Sequence, residues 1–243
     1  MLARLFAGPL AGMAVIVSAS GAPLVPPTPE APIPPLAEFD PFAAPSPEAR
    51  GTVLASNSTP FRFFDHCCSH LQEWYVGGTV ESRVVRADDG TVDFYWRLYQ
   101  ETDVVEDSLE IGGDSVRQFT LSQFFDPSFT FEAGYLTDTG DYAPSRAQIT
   151  GPFHWRGEGY ITVLLSYEQG WSNWFFLDTD ARYFDGSARL HLNGDIDTHT
   201  GSEWMPMYAP SPVPEPASLA LLLPGLLAVA ACRARKIRQQ DGG

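Results

Sequence analysis

The 243 residues and 44% hydrophobic composition are enough for one domain of ordinary size with additional segments at its ends. A formal net charge of -15 repels nucleic acid and anionic surfaces, so the composition argues against a DNA-binding or RNA-binding protein. The 21 glycines and 21 prolines favour turns over long helices.

Residues 1–21 have the organisation of a signal peptide. Arg4 supplies a positive n-region, residues 5–17 are apolar, and small residues follow from Ala19. We expect signal peptidase to cut after Gly21, because Ala19 and Gly21 satisfy the small-x-small rule. A retained N-terminal anchor is the alternative.

Two proline-rich segments are predicted to lie outside the folded domain. Residues 22–50 are expected to form a disordered, extended spacer, because such a composition does not build a packed core. Residues 205–212 are expected to form a second linker. The folded domain is therefore predicted to span residues 51–204.

That domain has the pattern of an all-β protein. Apolar side chains occupy every second position of one segment, at Val92, Phe94, Trp96 and Leu98, which predicts a strand with one buried face. The residues Asp88-Asp89-Gly90 predict a hairpin turn before it, with residues 80–84 on the partner strand. Further strands are predicted at residues 118–122, 128–132, 160–167, 174–177 and 188–192. Short strands joined by Gly and Asp turns favour a single antiparallel β-sandwich, jelly-roll or immunoglobulin-like.

The C-terminal segment resembles a membrane anchor that is only marginally long enough. Residues 217–232 form an apolar run of 16 residues, whereas a full span needs about 20. A basic cluster follows directly, at Arg233, Arg235, Lys236 and Arg238. The positive-inside rule keeps this cluster cytoplasmic and places the preceding domain outside the inner membrane. We therefore expect a temporary anchor.

The order of motifs in residues 213–238 carries a resemblance to a known family. The sequence Val213-Pro214-Glu215-Pro216, the apolar segment and the basic cluster together resemble the PEP-CTERM sorting signal of Gram-negative bacteria. The resemblance implies an exosortase, a membrane-embedded cysteine transpeptidase, as partner, together with processing near the Pro-Glu-Pro element. It also implies delivery to the cell surface or an exopolysaccharide matrix. Residues 90–102 and 174–195 resemble recurrent strands of the same proteins, which implies a surface β-domain with no established reaction.

Two groups of side chains are candidate metal ligands. His66, Cys67, Cys68 and His70 are residue types that zinc or copper favours, but no second cysteine pair completes a structural zinc site. An incidental loop and intermolecular disulfides are the alternatives. Residues 177–186 and 193–199 offer oxygen ligands for calcium without matching an EF-hand loop. No cofactor is expected, with Ca²⁺ and Zn²⁺ left open.

No recognised catalytic motif occurs in the chain, so we expect a protein that is not an enzyme. Its expected role is structural or adhesive, in the cell envelope or exopolysaccharide matrix. One alternative is a carbohydrate-binding module that recognises exopolysaccharide, because tryptophans near turns can stack on sugars: Trp155, Trp171 and Trp174. Core packing is the competing interpretation of these tryptophans. The second alternative is a secreted hydrolase using acidic residues such as Glu106, Asp107 and Glu110.

Overall fold

The computed structural model describes residues 21–26, 28, 36–65, 74–103, 116–150, 160–165, 169–194 and 201–212. Within these ranges the chain is all-β, with a single turn of 3-10 helix at Pro47–Arg50. The strands are β1 (Ala22–Pro23), β2 (Ala37–Glu38), β3 (Asp40–Phe42), β4 (Thr52–Asp65), β5 (Trp74–Arg86), β6 (Val92–Asp103), β7 (Gln118–Ser122), β8 (Phe131–Leu136), β9 (Pro144–Thr150), β10 (Tyr160–Leu165), β11 (Gly170–Trp171), β12 (Phe175–Thr179), β13 (Tyr183–Asn193) and β14 (Met205–Ser211).

The strands form two antiparallel sheets. Sheet 1 has the order β1-β8-β12-β6-β5-β4, with β11 added beside β6 and β3 beside β8. Sheet 2 has the order β14-β13-β7-β10-β9-β2. The pairing of β3 with β8 is parallel, whereas the other pairs between these strands are antiparallel.

The two sheets share one hydrophobic core rich in aromatic rings. Phe119 of sheet 2 packs edge-on against two rings of sheet 1, with centroid distances of 5.7 Å to Trp96 and 5.2 Å to Phe175. These rings are buried together with Val76, Val80 and Val84 of β5 and with the leucines of β7 and β13. Edge-to-face contacts of this kind add to the free energy gained by burying the rings.

The predicted β5–β6 hairpin is confirmed, including its turn. Val84 pairs with Phe94 and Val80 with Leu98, and Gly90 has a φ of 87° in the turn between the strands. The prediction of a single buried face is wrong, however, because Asp93 and Tyr95 on the other face are also buried.

A second hydrophobic cluster covers the outer face of sheet 1. It contains Val85, Tyr95, Leu136, Trp174 and Phe176. Side chains from β3, β4 and the segment between them pack against it: Phe42, Ala44 and Val53. We call this the outer cluster. It explains why β6 is buried on both faces.

The other predicted strands are recovered with shifts at their ends. β7 has the predicted bounds, and β10, β12 and β13 overlap the predicted segments. The strand predicted at residues 128–132 begins later, at Phe131, because Asp126 caps a turn by accepting hydrogen bonds from the N–H and hydroxyl of Ser128. Strands β4 and β9 were not predicted.

Both proline-rich segments contribute strands to the sheets. The predicted spacer, residues 22–50, contains β1, β2 and β3, and buries Leu24 and Phe39 in the shared core. The predicted linker, residues 205–212, contains β14, which pairs with β13 and buries Met205, Met207 and Ala209. Prolines are tolerated here because β1, β2 and β14 are end strands of their sheets and β3 pairs, among the described strands, with β8 alone, so that a missing N–H donor on the unpaired side costs no ladder hydrogen bond. The described fold therefore extends beyond residues 51–204 at both ends.

Residues 1–20 and 213–238, which carry most of the predicted signal peptide and the whole sorting signal, lie outside the described residues. Among the residues that are described, no helix has the length and apolar character needed to cross a membrane.

Candidate functional site

Three carboxyl side chains lie side by side on the outer face of sheet 1. Asp178 of β12 pairs with Glu132 of β8. On its other side, Leu177 pairs with Phe94, so the following residue, Asp178, lies beside Asp93 of β6. We call Asp93, Asp178 and Glu132 the acidic row. Neighbouring residues on one face have Cβ atoms about 5 Å apart, so three full negative charges there would repel strongly.

Asp93 and Asp178 relieve this repulsion by sharing a proton. Asp93 is only 2% exposed, and burial is the main cause that raises its pKa to about 8. The charge of Asp178 and a hydrogen bond between the two carboxyl groups raise it further. Burial also raises the pKa of Asp178 above its ordinary value. The pair therefore carries one proton at neutral pH.

Arg50 is the cation that faces this pair. It belongs to the 3-10 turn, and its charge lowers the pKa of both Asp93 and Asp178. Its guanidinium carbon lies 4.9 Å from the centre of the Phe42 ring and 4.7 Å from that of Phe176. Within the described part of the chain, Arg50 Nη1 and Asp93 Oδ1 are buried without a hydrogen-bond partner. The row is thus incompletely satisfied at its buried end.

Glu132, at the other end of the acidic row, contacts the start of the described chain. The backbone N–H of Gly21 donates a hydrogen bond of 2.8 Å to Glu132 Oε2. Pro23 of β1 pairs with Glu132 along the backbone. The side chain and the backbone of Glu132 therefore both hold the segment that contains Gly21 and β1.

The acidic row contains a pair of carboxyl groups suited to acid–base chemistry, but the outer cluster limits the access of a substrate to them. Two carboxyl groups that share a proton can act as general acid and base. Here the outer cluster lies over the face that carries Asp93, and the half-buried Asp178 is the more accessible member of the pair. The earlier acidic candidates, Glu106, Asp107 and Glu110, lie outside the described residues. Periodicity could not reveal the row, because its members are far apart in sequence and meet through strands that are not consecutive.

Two of the three candidate sugar-stacking tryptophans are described, and arginines cover them. The guanidinium carbon of Arg97 lies 4.2 Å from the centre of the Trp171 ring and 4.8 Å from that of Trp174. Arg83 lies over Trp174 at 4.7 Å. Trp174 is only 3% exposed and belongs to the outer cluster, whereas Trp171 is half-buried against Tyr99. Trp155 lies outside the described residues.

These arginines are themselves held by carboxylates. Arg97 forms an ion pair of 2.8 Å with Glu81, and Arg83 forms one with Glu48. Burial lowers the pKa of Arg83, and the charge of Arg97 lowers it further. We call Arg83, Arg97, Trp171 and Trp174 the arginine–tryptophan ladder. It is an ordered, charged surface rather than a row of free aromatic faces.

An open polar groove of about 500 Å³ lies beside the ladder, between β4, β5 and the 3-10 turn. Its lining residues are Glu48, Val53, Ser56, Asn57, Ser58, Glu81, Ser82 and Arg83. Ser56 pairs with Arg83 and Ser58 with Glu81, so each of these serines on β4 lies opposite a charged residue on β5. Sequence patterns do not predict this groove, because β4 is rich in Ser, Asn and Thr and lacks the apolar alternation that marks a strand.

The described residues do not bring the candidate metal ligands together into a site. His66, Cys67, Cys68 and His70 lie outside the described residues. Of the calcium candidates, Asp180 accepts a hydrogen bond from Thr130 N–H at 2.9 Å and Asp185 from Ser187 N–H at 2.9 Å, as ordinary turn carboxylates do. Where side chains are described, no group of three His, Cys, Asp or Glu residues is arranged to hold a metal ion.

Comparison with known proteins identifies no relative. No protein-family model matches the chain, and neither a curated protein nor a solved structure matches it significantly.

Proposed function

We propose that this chain is an exported protein of a Gram-negative cell envelope, and that its folded domain is what remains after both terminal segments are removed. The observation that carries the proposal is the position of the outermost strands. β1 begins at Ala22, next to the predicted signal-peptidase site, and β14 ends at Ser211, just before the sorting motif that begins at Val213.

Removing the two segments would therefore cost the described fold almost nothing. β1 and β14 pair in different sheets, and each anchors one end of the domain. Between Ser211 and the apolar segment, the sequence contains Pro214 and Pro216, which disfavour helix and suit a segment that a protease binds as a strand. This arrangement supports recognition by an exosortase while residues 217–232 are held temporarily in the membrane.

The role we propose for the released domain is structural or adhesive, at the cell surface or in the exopolysaccharide matrix. The finer fold that fits it is a β-sandwich of the jelly-roll or immunoglobulin-like kind, because the two sheets enclose one aromatic core. The burial of Asp93 beneath the outer cluster favours a role that does not involve catalysis over a hydrolase.

The sorting motif provides the direct test. Replacing Pro214-Glu215-Pro216 by three alanines should leave the protein exported but retained in the inner-membrane fraction. The matched control is Pro212→Ala, an exposed proline outside the motif. Equal surface delivery of the triple variant and the control would contradict the proposal.

A second candidate function is binding of exopolysaccharide, and the polar groove favours it. Hydroxyl, carboxylate and guanidinium groups line the groove, a combination suited to hydrogen bonding with sugar hydroxyls. Titration calorimetry with the host's own exopolysaccharide should detect binding by the unaltered protein. The apparent affinity should fall at least tenfold in a Ser56→Ala, Ser58→Ala double variant. Ser187→Ala, an exposed serine outside the groove lining, is the control. Absence of binding by the unaltered protein would remove this candidate.

A further inference from the structure

The acidic row has more negative charge than the described cations beside it balance. Asp93 and Asp178 share a proton and face Arg50, which leaves Glu132 as a third carboxylate next to Asp178. The charge of Glu132 raises the pKa of Asp178, so the two groups interact electrostatically. A cation at Glu132 would balance the row.

Gly21 is the group that Glu132 contacts, and it is packed closely. Its N–H lies 2.8 Å from Glu132 Oε2. The residue is buried, and a Cβ built on it would lie 2.8 Å from the carbonyl oxygen of Ala133. Only glycine allows the chain to approach β8 this closely, so the contact with Glu132 depends on the residue type at this position.

We propose that signal peptidase cuts the Ser20–Gly21 bond, and that the α-ammonium group released on Gly21 binds Glu132 as the counter-ion of the acidic row. The inference rests on the proposed export of the chain and deepens it by naming the cleaved bond and the receptor of the new terminus. Ser18 and Ser20 satisfy the small-x-small rule as well as Ala19 and Gly21 do. The bond lies one residue before the one expected from sequence.

The cleavage itself converts a neutral donor into a charged one. Water adds a hydroxyl group to the Ser20 carbonyl carbon and a proton to the Gly21 nitrogen as the peptide bond breaks. At neutral pH the amine takes up a further proton, and the new Ser20 carboxyl group loses one. The contact then joins two opposite charges instead of a neutral N–H and a carboxylate, and opposite charges at this distance attract each other, so maturation strengthens the contact that is already present.

Cleavage one residue later would destroy this arrangement. A mature chain that begins at Ala22 has lost Gly21, and with it the donor 2.8 Å from Glu132. Glu132 would then lie beside Asp178 without that partner. The geometry therefore favours Gly21 as the first residue of the mature chain.

N-terminal sequencing of the full chain, expressed and exported in a Gram-negative host, tests the cleaved bond. The expected mature sequence is Gly-Ala-Pro-Leu, beginning at Gly21. A mature chain that begins at Ala22, or at any other processed position, overturns this inference and leaves the export proposal standing. A chain delivered with residues 1–20 intact contradicts both.

The reactivity of the α-amine tests the receptor independently. At neutral pH, acylation of the mature α-amine by an activated ester should be roughly fivefold faster in Glu132→Gln, since loss of a partly exposed ion pair changes the equilibrium by about this factor. Glu132→Asp, whose shorter side chain withdraws the carboxylate while keeping its charge, should also react faster. Glu203→Gln, an exposed carboxyl on the chain before β14, is the control. Equal rates in the unaltered protein and in Glu132→Asp, with both folded by circular dichroism, overturn the assignment.

Discussion

Asp93 of β6 and Asp178 of β12 lie beside each other on neighbouring strands and hold one proton between them. Phe42 of β3 packs against the outer cluster on the same face, so part of the segment expected to be a disordered spacer helps to enclose the pair. The fold of the N-terminal segment therefore affects the ionisation of Asp93 and Asp178.

The first prediction concerns the pH dependence of stability. Asp93 keeps its proton in the folded protein up to about pH 8, whereas in the unfolded chain it ionises near pH 4. The stability that the protonated form contributes is therefore complete below about pH 4 and is lost as pH rises to about 8. Over this window the slope for one proton is at most about 1.4 kcal/mol per pH unit.

Asp93→Asn should remove this dependence, because an amide can donate to Asp178 at every pH. We expect the variant to be more stable than the unaltered protein at pH 8, measured by urea unfolding at pH 4.5 and pH 8. The exposed turn residue Asp88 provides the control variant Asp88→Asn. Parallel pH profiles for Asp93→Asn and the unaltered protein would show that the pair does not share a proton.

The second prediction separates the two tryptophans of the ladder. Trp174→Ala should lower the free energy of unfolding by about 3–5 kcal/mol, because Trp174 is buried in the outer cluster. Trp171→Ala should lower it by only about 1 kcal/mol, because that ring is half-buried and held mainly by Arg97 and Tyr99. Urea unfolding measures both. Equal losses would mean that Trp174 is not the structural member of the ladder.

The third prediction tests the central pairing of sheet 1. A Cβ on Gly78 would overlap the carbonyl oxygen of Tyr99 on the facing strand β6. Gly78→Ala should therefore force β5 and β6 apart and destabilise the protein by about 3 kcal/mol. Gly186→Ala is the matched control, since no atom lies within 4 Å of its Cβ position, and should change stability by no more than about 0.5 kcal/mol. Thermal melting that ranks the two variants in the opposite order would refute this packing.

The fourth prediction tests whether β14 belongs to the domain. Met207→Ala should lower the free energy of unfolding by about 2–5 kcal/mol, because the side chain is buried in the shared core. Pro206→Ala, at an exposed position of the same strand, should have an effect within about 0.5 kcal/mol. A linker would tolerate both changes equally, and denaturant unfolding distinguishes the two cases.

The sequence predicted those strands whose apolar residues alternate over a long enough segment. The β5–β6 hairpin was predicted because Val92 to Leu98 alternate strictly and Gly90 marks the turn. β4 was missed because it is rich in Ser, Asn and Thr, and β14 because Pro206 and Pro210 suggested a linker. Proline is a poor indicator at a sheet edge, where only one side of the strand needs donors.

The candidate site was beyond local sequence patterns. The alternation in β6 predicts that Asp93 faces solvent, which would be correct only if nothing covered the outer face of sheet 1. Its burial depends on the 3-10 turn and on Phe42, which were placed in a disordered spacer. Its neighbour Asp178 comes from a strand whose pairing with β6 skips over several others in sequence. Such contacts follow from sheet order, which hydrophobic periodicity does not encode.

The intact mass of the protein recovered from its native cells reports both terminal cleavages together. The expected mass corresponds to a chain that begins at Gly21 and ends near the Pro214-Glu215-Pro216 motif, and cells that lack the transpeptidase should instead yield a chain that keeps residues 217–238. Recovery of the full 26.7 kDa chain, or the same mature mass with and without the transpeptidase, would contradict the claim that the folded domain is released from both of its terminal segments.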